Sequence, residues 1–235
     1  MTSLIIACYT LEDEVNLVIK ETGVDYPVIW IESGLHAYPD KLRDAIQDQI
    51  DKIANVEQLI LVFGNCGNAL TGIRSENAKI VIPRVDDCIT LLLGSLAKRM
   101  ELTAEAATYF FTRGWIINEM NIIKEYEHCI EKYGSKKAER IMKVILKNYK
   151  RLMLIDTGAY PMDDDCLVKP KEMAAKFALE YQIETGTLDF LRRLITGPWD
   201  EDFIMLPPGT PLSLNDFGIN IGAGSQIAQT GSSRE

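Results

Sequence analysis

Leu59-Ile-Leu-Val-Phe63, running directly into Gly64-Asn-Cys-Gly-Asn68, is the stretch on which the reading of the fold turns. Five apolar residues in a row, without polar alternation, describe a strand covered on both faces, as in a parallel sheet. The small and amide residues after it form a tight turn rather than a helix. Working outward, the same grammar recurs. Leu4-Ile-Ile-Ala-Cys8 precedes Thr10-Leu-Glu-Asp-Glu14, where a Thr cap and acidic first turn are expected to open a helix. Val28-Ile-Trp-Ile31 precedes Gly34-Leu-His-Ala-Tyr-Pro39 and a helix from about Asp40 to Ala54, with Leu42, Ala45, Ile46, Ile50 and Ile53 at helical spacing. Lys79-Ile-Val-Ile82 leads through Pro83-Arg-Val-Asp-Asp-Cys88 into an apolar helix start, Ile89 to Leu93.

Strand then helix, four times over, is the pattern of an α/β fold. The second half repeats it more loosely. Thr108–Thr112, Arg151–Ile155 and Asp202–Leu206 read as strands, with helices expected across about 116–148 and two more over roughly 170–195. The expected class is α/β: a doubly wound, mostly parallel sheet with helices on both faces, Rossmann-like, with two pseudo-repeated halves as the variant. A single domain is expected over 1–221. The Gly-, Ser- and Gln-rich segment 222–235 is expected to be a flexible tail.

Among 235 residues, 34 are acidic and 25 basic, for a formal net charge of −9. Such a chain lacks the basic footprint that nucleic acid or an anionic membrane requires. The Met-Thr-Ser start has no basic, apolar leader, and no run approaches the roughly 18 apolar residues of a membrane span. A cytoplasmic protein with no nucleic-acid or membrane partner is expected. Five cysteines, at 8, 66, 88, 129 and 166, are odd in number and too scattered for a disulfide scaffold.

Open parallel sheets bind ligands beyond the carboxyl ends of their strands. Cys8 ends the first apolar run, His36 follows the second, Cys66 the third and Cys88 the fourth. Thiolates with an imidazole suit tetrahedral zinc; three thiolates also suit a [4Fe-4S] cluster. These four are the expected metal ligands. Buried hydrophobic roles for the cysteines, or a reactive thiol without metal, are the alternatives. Gly64, Asn65, Gly67 and Asn68 would bring backbone close to a bound group, although their spacing is not that of a nucleotide-binding loop. Arg84, Asp86 and Asp87 are the candidate catalytic residues, with Arg84 clamping an anionic substrate and an Asp orienting a ligand. On the plainer reading Arg84 pairs with Asp86 and Asp87 caps the next helix.

Arg113, Gly114 and Trp115, with Asp156, Thr157, Gly158 and Tyr160, would line a pocket if all strands run parallel. Trp115 suits core packing equally well. Asp163-Asp-Asp-Cys166 reads as a solvated loop, His128 as a surface residue and Cys129 as a core residue.

Phe63-Gly-Asn-Cys-Gly-Asn-Ala-Leu70 and Ile82-Pro-Arg-Val-Asp-Asp-Cys-Ile-Thr-Leu-Leu-Leu-Gly-Ser95 resemble the domain-of-unknown-function family numbered 1638. Gly34-Leu-His36 with Pro39, and Tyr109 through Gly114-Trp115, resemble it too. The similarity covers roughly residues 28–190, and Pro-Arg-x-x-Asp-Cys is its most specific part. The resemblance implies an archaeal or anaerobic bacterial setting linked to corrinoid-dependent one-carbon metabolism. It makes a Cys- and His-bound zinc meaningful, because zinc activates a methyl donor or acceptor there. The expected function is metal-dependent methyl transfer, or related one-carbon chemistry, on a small molecule. An iron–sulfur enzyme using Cys8, Cys66 and Cys88, and a non-enzymatic protein that binds or delivers a cofactor or corrinoid protein, are the alternatives.

Overall fold

The computed structural model describes residues 2–118 and 121–218; the tail expected at 222–235 lies outside them. In chain order the described elements are β1 (Ser3–Cys8), α1 (Glu12–Thr22), β2 (Val28–Ile31), α2 (Pro39–Asp51), β3 (Gln58–Val62) and β4 (Lys79–Pro83). There follow α3 (Cys88–Leu93), α4 (Leu96–Glu105), β5 (Thr108–Phe111), α5 (Arg113–Asn118), α6 (Ile122–Tyr133) and α7 (Ser135–Ile145). The last are β6 (Arg151–Asp156), α8 (Val168–Phe177), β7 (Glu180–Thr185), α9 (Asp189–Thr196) and β8 (Phe203–Leu206). The mixed α/β class, with mostly parallel strands flanked by helices, is as the sequence implies.

The chain divides into two compact units. One comprises the stretches through Cys8, from Val24 to Cys88, and from Arg193 onward; the other comprises Tyr9–Gly23 and Ile89–Arg192. Each unit has its own sheet.

The first unit's sheet has the order β2-β1-β3-β4-β8. β1 pairs in parallel with both β2 and β3, and β3 with β4. The connection therefore changes direction between β1 and β3, the switch point at which such sheets bind ligands. Ile6 stands beside Ile29 and Leu61, and Leu59 beside Ile80, so these residues share one face. They join Leu42, Ile46 and Ile50 of α2 in a single core. Helical spacing puts those three residues on one stripe, and full burial of each stabilises the fold by roughly 1.5–3 kcal/mol. Ile5, Ala7, Ile60, Val62 and Val81 on the opposite face are also fully buried, which is why the runs lack alternation.

β8 is antiparallel to β4. It is an edge strand with Met205 half exposed, and a sheet edge accepts either direction.

The second unit's sheet, β5-β6-β7, is wholly parallel. Leu152 and Leu154 of β6 pack with Phe111, Met142, Leu146 and Met173 in that unit's core. Two expectations fail in this unit. The region 170–195 holds helix, strand and helix rather than two helices: Glu180–Thr185 is an edge strand with little buried surface. Its Tyr181 and Ile183 do alternate with polar residues, the period of a strand. Thr10 does not cap α1; a tight turn over Tyr9–Leu11 comes first, Leu11 holds the cap position, and no side chain bonds there.

Candidate metal centre

All four expected ligand residues belong to the first unit and stand at the carboxyl ends of its parallel strands. Cys8 is the last residue of β1. His36 lies in the short turn helix Ser33–Ala37 after β2, Cys66 opens a turn over Cys66–Asn68 after β3, and Cys88 begins α3 after β4.

The backbone holds these loops together. A Cβ on Gly64 would lie 2.3 Å from the carbonyl carbon of Asp87 and 2.7 Å from the nitrogen of Cys88, so only glycine lets the two turns press together. The Asn65 N–H donates to the Val85 carbonyl at 3.1 Å, a second tie between them. Gly67 has φ +58°, and a Cβ there would sit 2.8 Å from Cγ of Pro39, which links the Cys66 turn to the loop carrying His36. Asn68 also takes a left-handed conformation, with its N–H donating to the Asn65 carbonyl at 3.0 Å. The turn of glycines and amides thus serves to bring three loops into contact.

The side chains meet in consequence. Cys8 Sγ and His36 Nε2 are 2.9 Å apart, and both residues are buried. The Cys66 thiol is within hydrogen-bonding reach of both Cys88 and His36. The four donors form a chain of neighbours, Cys8–His36–Cys66–Cys88. Its members lie up to 80 positions apart in sequence, from Cys8 to Cys88. Among the described residues no group of three or more His, Cys, Asp or Glu is placed to hold a metal ion, so the arrangement is one of successive pairs.

The electrostatics follow from this crowding. Cys66 is half-buried as a residue while its sulfur is enclosed. Contact with Cys88 and then burial push its thiol well above the ordinary range, and His36 pulls the other way. Two thiols side by side cannot both be thiolates without a cation. Thiols and an imidazole are donor types that suit a soft or borderline cation such as zinc, and three thiolates also suit a cluster.

The residues proposed for catalysis divide. Arg84 is tied to backbone: its Nε donates to the Glu201 carbonyl at 2.7 Å, and an Nη donates to the Asp216 carbonyl. Its own N–H donates to the Asp202 carbonyl at 2.8 Å. These bonds anchor the Pro83–Cys88 segment to the return strand. Asp86 Oδ1 accepts the Asp87 N–H at 3.0 Å, and both residues are half-buried beside Cys88.

The remaining candidates belong to the second unit. Arg113 bridges Asp13 at 3.0 Å and Asp164 at 2.7 Å, while Asp163 and Asp165 are exposed to solvent. That pairing holds the Asp164 carboxyl down at about 2. Thr157 donates to Oε1 of Glu14 at 3.0 Å, and Tyr160 to the Ile155 carbonyl. Trp115 donates to the Tyr109 hydroxyl at 3.2 Å and packs against the core. His128 is exposed and Cys129 buried, as expected.

Sequence reading missed Glu14. Burial first, opposed in part by the Thr157 hydroxyl, raises its carboxyl to about 7, and its Oε2 has no hydrogen-bond partner. Nothing in an acidic helix start, Glu12-Asp-Glu14, marks the third carboxylate as the buried one except its spacing to Val15 and Val18.

The family model described as "Protein of unknown function (DUF1638)" matches residues 30–195, and the chain belongs to that family. No curated protein and no solved structure matches the chain. No helix among the described residues is long and apolar enough to cross a membrane.

Proposed function

Taking the chain as a member of that family, we propose that Cys66, Cys88 and either Cys8 or His36 hold a zinc ion with its fourth position open, and that the protein is a metal-dependent enzyme acting on a small molecule. The supporting observation is the chain of neighbouring donors at the carboxyl ends of four strands, beside the β1/β3 switch point. The reaction class we assign, methyl transfer or a related one-carbon step, rests on the family resemblance; a corrinoid protein as partner rests on the same ground.

The chain's own residues divide the work. Cys8 and His36, both buried, form the fixed wall of the site. Cys66 must lose a proton that its surroundings hold tightly, so metal binding is coupled to proton release and strengthens as pH rises. Cys88 is half-buried, and the substrate approaches on its side, past Asp86 and Asp87. Arg84 is a positioning residue: its Nε and one Nη fix the Cys88 turn through carbonyls. When bound, zinc supplies Lewis acidity that keeps sulfur donors and an acceptor thiol deprotonated near neutral pH.

Elemental analysis of protein purified without oxygen is the test. About one zinc per chain is expected, falling below about half in Cys66→Ser and Cys88→Ser variants that stay folded. Less than about half an equivalent of any transition metal in the unmodified protein overturns the proposal. Iron with acid-labile sulfide in place of zinc replaces it with the cluster alternative.

A further inference from the structure

The second unit has an open depression of about 240 Å³ that the chemistry above does not use. It lies at the end of that unit's sheet from which β6 starts, where the turn after α7 meets the end of α8. Lys143, Lys147 and Lys150 surround it, and Tyr149, Phe177 and Leu179 supply apolar wall.

The backbone on both sides is anchored. The Tyr149 N–H donates to the Leu146 carbonyl at 2.9 Å, and Lys150 is held at both ends, its N–H on Ala107 and its carbonyl on Glu180. Across the depression the Leu179 N–H donates to the Ala174 carbonyl at 2.9 Å. Tyr149 is further fixed edge-on against Tyr109 at 5.6 Å, and Phe177 against Tyr126 at 5.4 Å. The walls are therefore built before any ligand arrives.

The charge is unusual for this chain. Three lysines elsewhere in the unit are paired: Lys98 with Glu184, Lys169 with Glu127, Lys176 with Glu139. Among the described residues no carboxylate is paired with Lys143, Lys147 or Lys150. In a protein of net charge −9, three lysines in no salt bridge among the described residues line one concavity. Lys143 lies in the last turn of α7, where the helix dipole favours it, but that does not account for the other two. Mutual repulsion among the three is relieved by a multiply charged anion.

The donor type narrows the anion. No arginine lines the depression, so planar, bidentate guanidinium recognition is absent and the cations are lysines alone. Lysines act as point charges, which suits the several equivalent oxygens of phosphate groups. We propose that this depression is a binding site for a small molecule carrying a diphosphate, with the phosphates on the three lysines and any attached organic group against Tyr149 and Phe177.

Isothermal titration with pyrophosphate and, separately, with a nucleoside diphosphate at low ionic strength tests this on the full chain. Saturable binding of either ligand is expected, weakened about tenfold or more in Lys147→Gln and in Lys150→Gln and weakened again by added salt. Tighter binding of the nucleoside diphosphate assigns the aromatic wall a role, and equal binding makes the ligand the bare diphosphate. Cys66→Ser is expected to bind unchanged, which separates this site from any effect of the anion on a metal. Lys136→Gln, at the far end of α7, is also expected to bind unchanged. The proposal is overturned by the absence of saturable heat with both ligands at millimolar concentration, by unaltered affinity in the two site variants, or by equal loss in Lys136→Gln, which would mean diffuse surface charge.

Discussion

Replacing Glu14 by Gln should stabilise this protein above neutral pH and leave it nearly unchanged in acid. Glu14 is fully buried, one oxygen accepts from Thr157 at 3.0 Å, and the other has no partner. Its carboxyl stands near 7 against an ordinary value of 4.5, raised chiefly by burial. The folded chain thus holds this proton more tightly than the unfolded chain does. The resulting stability is fully present below about pH 4.5, declines as pH rises, and is lost once pH passes about 7. At about 1.4 kcal/mol per tenfold change in proton affinity, the loss is about 3 kcal/mol. Gln keeps an acceptor for the Thr157 hydroxyl and carries no charge, so it escapes this loss. Urea unfolding of both proteins from pH 5 to pH 8.5 measures it. Other titrating groups are common to both chains and cancel in the difference. Variant minus wild type should be below about 1 kcal/mol at pH 5 and reach about 3 kcal/mol at pH 8.5. Parallel profiles across that range would refute the reasoning, because they would mean that Glu14 ionises without penalty where it stands.

Gly64→Ala drives a methyl into the Asp87 backbone, so the Cys66 and Cys88 turns must part. A loss of roughly 2–3 kcal/mol in thermal or urea unfolding is expected, together with metal content lowered to the level of Cys66→Ser. Ala178→Gly acts in the opposite sense. Ala178 ends α8 at φ +56°, a conformation that costs an L-residue about 1–2 kcal/mol, so glycine there should raise stability by about 1 kcal/mol in the same unfolding assay.

The four strands that carry the cysteine–histidine chain are legible because each is a short apolar run with a turn signal after it, and local sequence sets both features. Leu59–Phe63 and Arg151–Ile155 announce themselves in this way, and so do the donors placed directly after strands, Cys8 and Cys66. Glu180–Thr185 was harder: it is an edge strand with little buried surface, so its composition resembles that of an exposed helix.

Tertiary structure alone decided how the strands divide, which partners the charged side chains find, and which acid is buried. Arg84 looks from sequence like a substrate clamp, yet its bonds go to carbonyls 117 and 132 positions away. Glu14 looks like its neighbours Glu12 and Asp13, and only packing against distant chain strips it of water. Local propensity acts over a few residues and is written in them. Desolvation and long-range hydrogen bonding depend on what the rest of the chain brings alongside, and no short stretch of sequence carries that information.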